Sequence, residues 1–313
     1  MKKEAFIYGI QPHSNELENA NRGVEKGRTS EYELAFMQQR ERGFFLKLQE
    51  ENKFSFIEDG KYNWNDIFRP IIESSKGIES GELKRWFETN SFYRTPVIKE
   101  KPKLKVDEFA HYIPFVGECS QKITLPSPYT FAKLSQDASC SFGQTLETVT
   151  ELISTVVDYV DSKSNVKAIQ LNEPYAAHFG LQEGEEYLFE RALREVSQKL
   201  NADTKLFVHF YFGDGAPLLR RLEEKDLRIN AFGVDFERTN YEDLPTNTSR
   251  DLIAGVVDSE NSQIEEASEL NKLIDGISRS SNPSILYLTH NADMEFDSVQ
   301  ISEKKIKVLG KLL

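Results

Sequence analysis

Eight short apolar runs, rich in β-branched and aromatic residues, recur along the chain and are separated by stretches with helical spacing. The runs cover residues 5–9, 54–60, 122–127, 166–174, 205–214, 229–237, 252–258 and 284–290. Several are apolar almost throughout, as expected of parallel strands that are covered on both faces. Eight strands alternating with helices predict an α/β fold, specifically a single (β/α)8 (TIM) barrel.

The segment between the second and third predicted strands, about 61–120, is too long for an ordinary crossover and predicts a large insertion. It contains an aromatic-rich piece and then a Lys/Pro-rich stretch, 98–105, which we expect to be an exposed connection. The whole chain, 1–313, is interpreted as one barrel with this insertion. An open doubly wound sheet is the alternative, although no G-x-G-x-x-G motif follows the first strand.

Apolar spacing also predicts helices near residues 146–160, 188–200 and 267–277. Ser262 and Glu265 precede the last of these at the spacing of a capping box. In that motif the two side chains satisfy the first backbone N–H groups of the helix. The pattern therefore predicts a helix that begins shortly after Ser262.

The net charge and the number of cysteines exclude several classes of protein and of binding site. The net charge of −12 argues against nucleic-acid binding and against an anionic membrane surface. No apolar run approaches the ~18 residues of a membrane span, and the first ten residues do not resemble a signal peptide. Cys119 and Cys140 are the two cysteines, too few for a disulfide framework or a zinc site with three thiolates. We expect a cytoplasmic globular protein.

Polar residues stand where the predicted strands end, which in a barrel is where chemistry occurs. His209, Glu237 and His290 could hold a metal ion with an open position, because imidazole and carboxylate suit Zn²⁺ or Fe²⁺. Glu173 and Glu237 could instead act as the carboxylate pair of a glycosidase. The alternative interpretation is that all of them are hydrogen-bonded caps at the rim. The full set is Asp59, Ser127, Asn172, Glu173, His209, Asp214, Glu237, Asp258 and His290.

The sequence RWFETNSFYRTP, residues 85–96, resembles the W-F-x-T-N-x-x-Y-x-x-P signature of the cobalamin-independent methionine synthase family, in its N-terminal barrel. Residues 9–17, 56–68, 125–131 and 169–174 resemble neighbouring family segments. The resemblance implies a (β/α)8 barrel related to an enzyme of methionine biosynthesis. That enzyme transfers a methyl group from 5-methyltetrahydropteroyl-glutamate to homocysteine. It uses two facing barrels, with zinc in the C-terminal one and the folate between them.

Several family positions carry other residues here. The resemblance places His209 and Tyr211 at the family's H-x-C zinc pair, retains the ligand glutamate as Glu237, and puts Met294 at the second cysteine. A phenol and a thioether are poor replacements for zinc thiolates. Glu260 stands at the catalytic histidine and Asn172 at the aspartate that holds the homocysteine amine. These departures imply that zinc is not held and that the chain is inactive alone.

The same resemblance assigns a binding role to the motif at residues 85–96. One basic residue that holds the folate polyglutamate tail corresponds to Arg85, whereas the other corresponds to Glu18, of opposite charge. We expect methyl-folate or a related pterin as a transient ligand, no tightly bound cofactor, and a separate zinc-bearing catalytic barrel as partner. The alternative is an independent metal-dependent methyltransferase or hydrolase that uses His209, Glu237 and His290. The expected pterin contacts are Arg85, Trp86, Asn90 and Tyr93.

Overall fold

A curled, seven-stranded parallel sheet forms the centre of the computed structural model, which describes residues 1–114, 116–138 and 140–313. Residue 115, inside the predicted insertion, lies outside these ranges. The strands of the described residues are β1 Lys2–Ala5, β2 Ser75–Arg85, β3 Phe92–Leu104, β4 Gln121–Pro126, β5 Val166–Asn172, β6 Lys205–Phe210, β7 Ala231–Asp235, β8 Asp251–Val257 and β9 Ile285–His290. The sheet order is β1-β9-β8-β7-β6-β5-β4. The predicted α/β class is therefore confirmed.

Helices follow the strands and cover the outer face of the sheet. Their bounds are α1 Asn15–Glu25, α2 Glu31–Glu51, α3 Arg69–Glu73, α4 Val106–Phe109, α5 Pro128–Leu134, α6 Phe142–Asp161, α7 Pro174–Phe179, α8 Glu186–Ser197, α9 Ala216–Glu223, α10 Ala267–Ser281 and α11 Val299–Gly310. Helix α6 buries Val149, Ile153 and Val157 at helical spacing, as its sequence predicts. None of the described helices is long and apolar enough to cross a membrane.

The capping box predicted before α10 is wrong. The helix begins at Ala267, and Glu266, which precedes it, makes no side-chain capping hydrogen bond. Glu265 instead accepts the backbone N–H of Asp258 at 2.8 Å. The Glu265 carboxylate therefore bonds to the residue that follows β8, and not to the backbone of Ser262 as a capping box would require.

The second predicted strand, 54–60, does not form a regular strand. It makes one parallel bridge, between Ile57 and Gln121, and the Ser55 N–H donates to Ala5 O at 2.9 Å. At Glu58 the backbone bonds to a side chain instead of to a neighbouring strand. Gln49 of α2 accepts the Glu58 N–H at 3.0 Å and donates to the Glu58 carbonyl at 2.8 Å. The segment lies between β1 and β4, but Gln49 satisfies backbone groups that a sheet ladder would otherwise use.

The first strand is displaced toward the amino terminus relative to the prediction of 5–9. Lys2, Lys3 and Glu4 pair with β9, although charged residues are unusual in a parallel strand. Their side chains lie where the strand starts and keep contact with solvent. The apolar run that follows, Phe6 to Tyr8, is fully buried, so burial continues beyond the last regular pairing.

The insertion contains an antiparallel hairpin of β2 and β3, in which Arg85 pairs with Phe92 and Ser75 with Leu104. The Lys/Pro-rich stretch 98–105 is largely part of β3, so the prediction of a connection is wrong, although Lys99, Glu100, Lys101 and Lys103 are exposed as predicted. Proline is tolerated in this two-stranded sheet because its missing donor falls at an edge or an irregularity. A register irregularity lies between Lys76 and Ile78 of β2, opposite the stretch that contains Pro102.

Candidate functional site

Two neighbouring groups of side chains lie where the parallel strands end. The first group, called the histidine layer here, consists of Tyr8, His209 and His290, which are all fully buried. The second group surrounds the tip of the β2–β3 hairpin, residues 86–91, which connects the two strands. Because parallel strands all end at the same edge, residues distant in sequence meet here.

His290 is held by the backbone through both ring nitrogens. The Tyr8 N–H donates to Nε2 at 3.1 Å, so Nδ1 carries the proton and donates to Ala292 O at 2.5 Å. The Tyr8 ring stacks on the imidazole with a centroid distance of 4.2 Å. Burial lowers the pKa of His290 to about 3. The residue therefore acts as a neutral bridge between the ends of β1 and β9.

His209 is equally buried but is tied to the backbone through one ring nitrogen only, since among the described residues its buried Nδ1 has no hydrogen-bond partner. Its Nε2 donates to Asn291 O at 3.1 Å, and its Nδ1 lies so close to Gly233 that an added Cβ there would be 2.4 Å away. Burial lowers the pKa of His209 to about 3. Gly233 of β7 thus provides the room that the imidazole needs.

The residual zinc-site positions carry a donor set with poor affinity for zinc. Among the described residues, no group of three or more His, Cys, Asp or Glu side chains could hold a metal ion. Met294 is fully buried, whereas Glu237 is exposed. With Tyr211 and Met294 in place of thiolates, the donor set does not fit the zinc ion that the family resemblance implies.

His290 of the alternative metal triad and Glu173 of the glycosidase pair both bond to other groups in this structure. Both nitrogens of His290 are occupied, so His290 cannot join His209 and Glu237 around an ion. Glu173 is fully buried and accepts hydrogen bonds from Ser127 Oγ, from Thr130 Oγ1 at 2.7 Å and from the Ala176 N–H at 2.8 Å. Glu173 therefore ties β4 and α5 to the start of α7, and its carboxylate is buried among these donors.

The remaining strand-end residues are largely structural. Ser127 caps α5 by accepting the Thr130 N–H at 3.2 Å, and Asp214 accepts the Ala216 N–H at 3.0 Å. Asp59 is buried beside Arg42, at 3.7 Å. The interpretation as hydrogen-bonded rim caps describes these positions well.

Asp293 is the first of two acidic residues that the strand-end reasoning missed. Its Oδ1 accepts the Ile10 N–H at 2.9 Å, and Tyr211 donates a long hydrogen bond to its Oδ2, at 3.4 Å. Gly9, with φ of +74°, allows this approach, since a Cβ there would be 1.8 Å from Asp293 Oδ1. Burial raises the pKa of Asp293 to about 6, although the bond from Ile10 opposes this rise.

Glu295, two residues further on, connects the last strand to the hairpin tip. Ser91 Oγ donates to Glu295 Oε1 at 2.7 Å. Removal from water raises the pKa of Glu295 to about 8, and the negative charge of Asp293 adds to the rise. The protonated form of the Glu295 carboxyl is therefore favoured over a wider pH range than in an exposed glutamate.

Together these carboxyl groups and the hairpin line a small cavity of about 10 Å³, called the hairpin cavity. This volume suits about one water molecule. Trp86 and Tyr93, two of the four predicted pterin contacts, line the cavity beside the two acids. Its full lining is Ile10, Asp66, Ile67, Trp86, Ser91, Phe92, Tyr93, Asp293 and Glu295.

The four predicted pterin contacts therefore divide into two pairs. Trp86 and Tyr93 are buried, each with 5% of its surface exposed, and their rings pack edge to face at 5.7 Å. Arg85 and Asn90 are exposed. The aromatic pair belongs to the cavity wall, whereas the polar pair faces solvent beside it.

Phe87 holds the hairpin tip over the ends of β5 and β6. Its backbone has a φ of +48°, a strained value for a bulky residue. The ring packs at 5.2 Å from both His178 and Phe212 and at 5.9 Å from Phe179. Such strain persists when the surrounding contacts determine the conformation.

Comparison with known proteins identifies the family. The family model for the cobalamin-independent synthase N-terminal domain matches residues 52–282. The chain belongs to this family. A 5-methyltetrahydropteroyltriglutamate–homocysteine methyltransferase from Herpetosiphon aurantiacus is 28% identical over 235 residues, which are 72% of this chain and 30% of that protein. This chain thus matches less than one third of the length of that relative.

Solved structures support the synthase-like fold. A B12-independent methionine synthase from Shewanella sp. W3-18-1, in complex with selenomethionine, superposes with a TM-score of 0.74 at 14% identity, covering 91% of this chain and 89% of that one. A methyltransferase from Methanosarcina mazei gives a TM-score of 0.64 at 11% identity, covering 99% and 94%. At these identities the likeness shows the fold alone.

Proposed function

We propose that this chain is a non-catalytic, pterin-binding barrel that acts in the cytoplasm beside a zinc-bearing methionine synthase barrel. The observation that carries the proposal is the match to the N-terminal domain of the synthase family. In this proposal the segment 54–60 takes the place of an eighth barrel strand, since it hydrogen-bonds to Ala5 and bridges to Gln121. Methyl transfer to homocysteine would occur in the partner barrel.

The residues at the family's reactive positions support a non-catalytic role. Tyr211 supplies a phenol where a thiolate would be required, and burial raises its pKa well above the usual value. Glu260 forms an ion pair with Arg238 at 2.6 Å, so it is a poor proton donor to a leaving pterin nitrogen. A barrel with a degenerate zinc site of this kind would bind the pterin without catalysing the methyl transfer.

The hairpin cavity has the chemistry to hold the edge of a pterin. Carboxyl groups such as Asp293 can accept hydrogen bonds from the amino and ring N–H groups of an aminopyrimidinone. Trp86 and Tyr93 can stack on the ring, and the exposed Arg85 can pair with a glutamate carboxylate. Because the cavity holds about one water, ring entry requires the hairpin tip to move outward.

A methyl-transfer assay tests the functional proposal. The zinc-bearing barrel of a methionine synthase is measured alone, this chain alone, and then the two together, with methyl-folate and homocysteine. We expect this chain to show no turnover and the mixture to exceed the zinc-bearing barrel. Turnover by this chain alone, or a mixture no faster than the zinc-bearing barrel, contradicts the proposal.

Direct binding gives a second test. Calorimetric titration of methyl-folate should show about tenfold weaker binding for Arg85→Ala, because one charged contact is worth about 1–3 kcal/mol. Lys84→Ala is the matched control, since Lys84 is the neighbouring exposed cation on β2. Equal affinities for both variants would remove Arg85 from the site.

A further inference from the structure

Helix α2, Glu31–Glu51, presents an unusual number of exposed aromatic rings. Tyr32, Phe36 and Phe44 are 82%, 60% and 69% exposed. Only Phe45 and Gln49 of this helix are buried, although it has 21 residues. Large apolar groups gathered on one surface of a protein commonly mark an interaction site.

The residue types on the exposed face are arranged symmetrically on either side of one central residue. On a helix, residues three, four and seven positions away from a given residue share its face. Taking Arg40 as the centre, the face carries a phenylalanine at four positions before and after it, an acidic residue seven positions before it and a basic residue seven positions after it. The members are Glu33, Phe36, Met37, Arg40, Gly43, Phe44 and Lys47, of which Met37 is half-buried against the core and the others are exposed.

We propose that this face of α2 binds a second copy of this chain, with the two α2 helices antiparallel about a two-fold axis at Arg40. Such an axis places each residue opposite the one equally far from Arg40 on the other helix. Phe36 then meets Phe44 of the second copy, and Glu33 meets Lys47. Each charged residue at an end of the face therefore lies opposite a residue of the other sign on the second copy.

Space at the centre of the face favours the close approach of two helices. A Cβ added to Gly43 would meet nothing within 4 Å, so a glycine that costs about 1 kcal/mol in a helix interior relative to alanine is not required by the contacts within this chain. In the antiparallel dimer Met37 of the second copy lies opposite Gly43. A short side chain at the contact allows a small distance between helix axes.

Two further features suit the same arrangement. Arg40 already pairs with Glu16 of α1 at 2.6 Å, so the two arginines meet at the axis with their charges compensated. Phe44 and Lys47 also line a groove of about 710 Å³ between α2 and Val299 and Glu303 of α11. The groove provides room for side chains of the second copy beside the helix pair.

Cross-linking tests the position of the axis. In a Cys119→Ser, Cys140→Ser background, Arg40→Cys should form a disulfide-linked dimer on mild oxidation, because the axis brings the two residues together. Glu31→Cys is the matched control, since Glu31 is exposed on the same helix but half a turn away from Arg40. Absence of the Arg40→Cys dimer, or equal dimer from the control, overturns the proposal.

Sedimentation tests the charge pairing. The wild-type chain should show a reversible monomer–dimer equilibrium, and Lys47→Glu should weaken it about tenfold, because two symmetric ion pairs of up to about 1 kcal/mol are lost. The double variant Glu33→Lys, Lys47→Glu should restore dimerisation. Because Glu33 also accepts hydrogen bonds from Ser30 at the start of α2, the helix content of the double variant is compared with that of Glu33→Gln, Lys47→Glu by circular dichroism. A chain that stays monomeric up to millimolar concentration, or a double variant as weak as the single one, overturns the antiparallel pairing. Neither result depends on pterin binding or methyl transfer.

Discussion

The histidine layer and the hairpin cavity lie side by side at the ends of the strands, yet their ionisable groups behave in opposite ways. His290 has a backbone partner for each ring nitrogen, whereas His209 has one at Nε2 and, among the described residues, none at Nδ1. Glu295, in contrast, has one hydroxyl donor and an acidic neighbour. Buried groups whose partners are complete stabilise a fold, whereas groups with raised pKa and incomplete partners are more often found where ligands bind.

The largest expected effect tests the structural side of this comparison. His290→Ala should lower the free energy of unfolding by about 3 kcal/mol, because it leaves a cavity and an unsatisfied Tyr8 N–H. Urea denaturation measures the change. His111→Ala, at an exposed histidine, should change stability by less than about 0.5 kcal/mol. If the two variants were equally stable, the histidine layer would not be a structural element.

A second variant tests how closely the two regions are packed. Gly9→Ala should lower the free energy of unfolding by about 2 kcal/mol, since it combines a positive φ with a contact to Asp293. Gly27→Ala is the matched control, because Gly27 has a φ of +63° and open space around it. Thermal denaturation of both variants separates the contact from the backbone strain. Equal losses would mean that the Asp293 side chain moves aside without cost.

The pH dependence of stability tests the hairpin cavity. The folded-state pKa of Glu295 is raised from 4.5 to about 8, so between these values the unfolded chain loses a proton that the folded chain keeps. Wild-type stability should therefore fall as pH rises through this window. Glu295→Gln lacks this dependence. Its stability relative to wild type should rise by about 2 kcal/mol from pH 4.5 to pH 8, roughly half of the full linkage value, because the Glu295 side chain keeps partial contact with solvent.

Urea denaturation of the wild type and Glu295→Gln at several pH values between these limits measures the difference. Glu118→Gln, at a carboxylate outside the site, should follow the wild-type pH profile. Parallel profiles for Glu295→Gln and the wild type would show that Glu295 ionises normally in the folded protein.

The smallest expected effect concerns the hairpin tip itself. Ser91→Ala removes the hydroxyl that donates to Glu295 and should reduce stability by about 1 kcal/mol. Hydrogen exchange of the amides at residues 86–91 should become faster than in the wild type, because the tip opens more readily. Ser80→Ala, on β2 of the same hairpin, serves as the control. Unchanged exchange at the tip would show that the aromatic contacts of Phe87 hold it without this bond.

The apolar runs in the sequence correctly predicted most strands of the central sheet. Six of the eight predicted strands overlap β4 to β9 with boundaries that differ by a few residues, because long buried apolar runs have few alternatives to a covered parallel strand. The segment 54–60 has the same pattern but makes only one bridge. The contact that decides this is with Gln49, whose amide lies on a helix and gives no local sign of its partner.

The candidate site shows the same division. The RWFETN motif directed attention to Trp86 and Tyr93, and both line the hairpin cavity. Asp293 and Glu295 were missed, although they flank Met294, one of the residual zinc positions. Their signal was their place just after the last strand, at the sheet edge where sites form, and it was recognisable only after the hairpin was known to cover it.

The sequence by itself determined the alternation of strands and helices, the class of fold and the family, since these depend on periodic burial and on motifs within short segments. The tertiary structure alone decided that His290 is a backbone bridge, that Glu295 meets Ser91 across 204 residues, and that one face of α2 stays uncovered. A hydrogen bond or an exposed face depends on where distant segments meet. The periodicity of a sequence constrains each segment, but not the pairing of one segment with another.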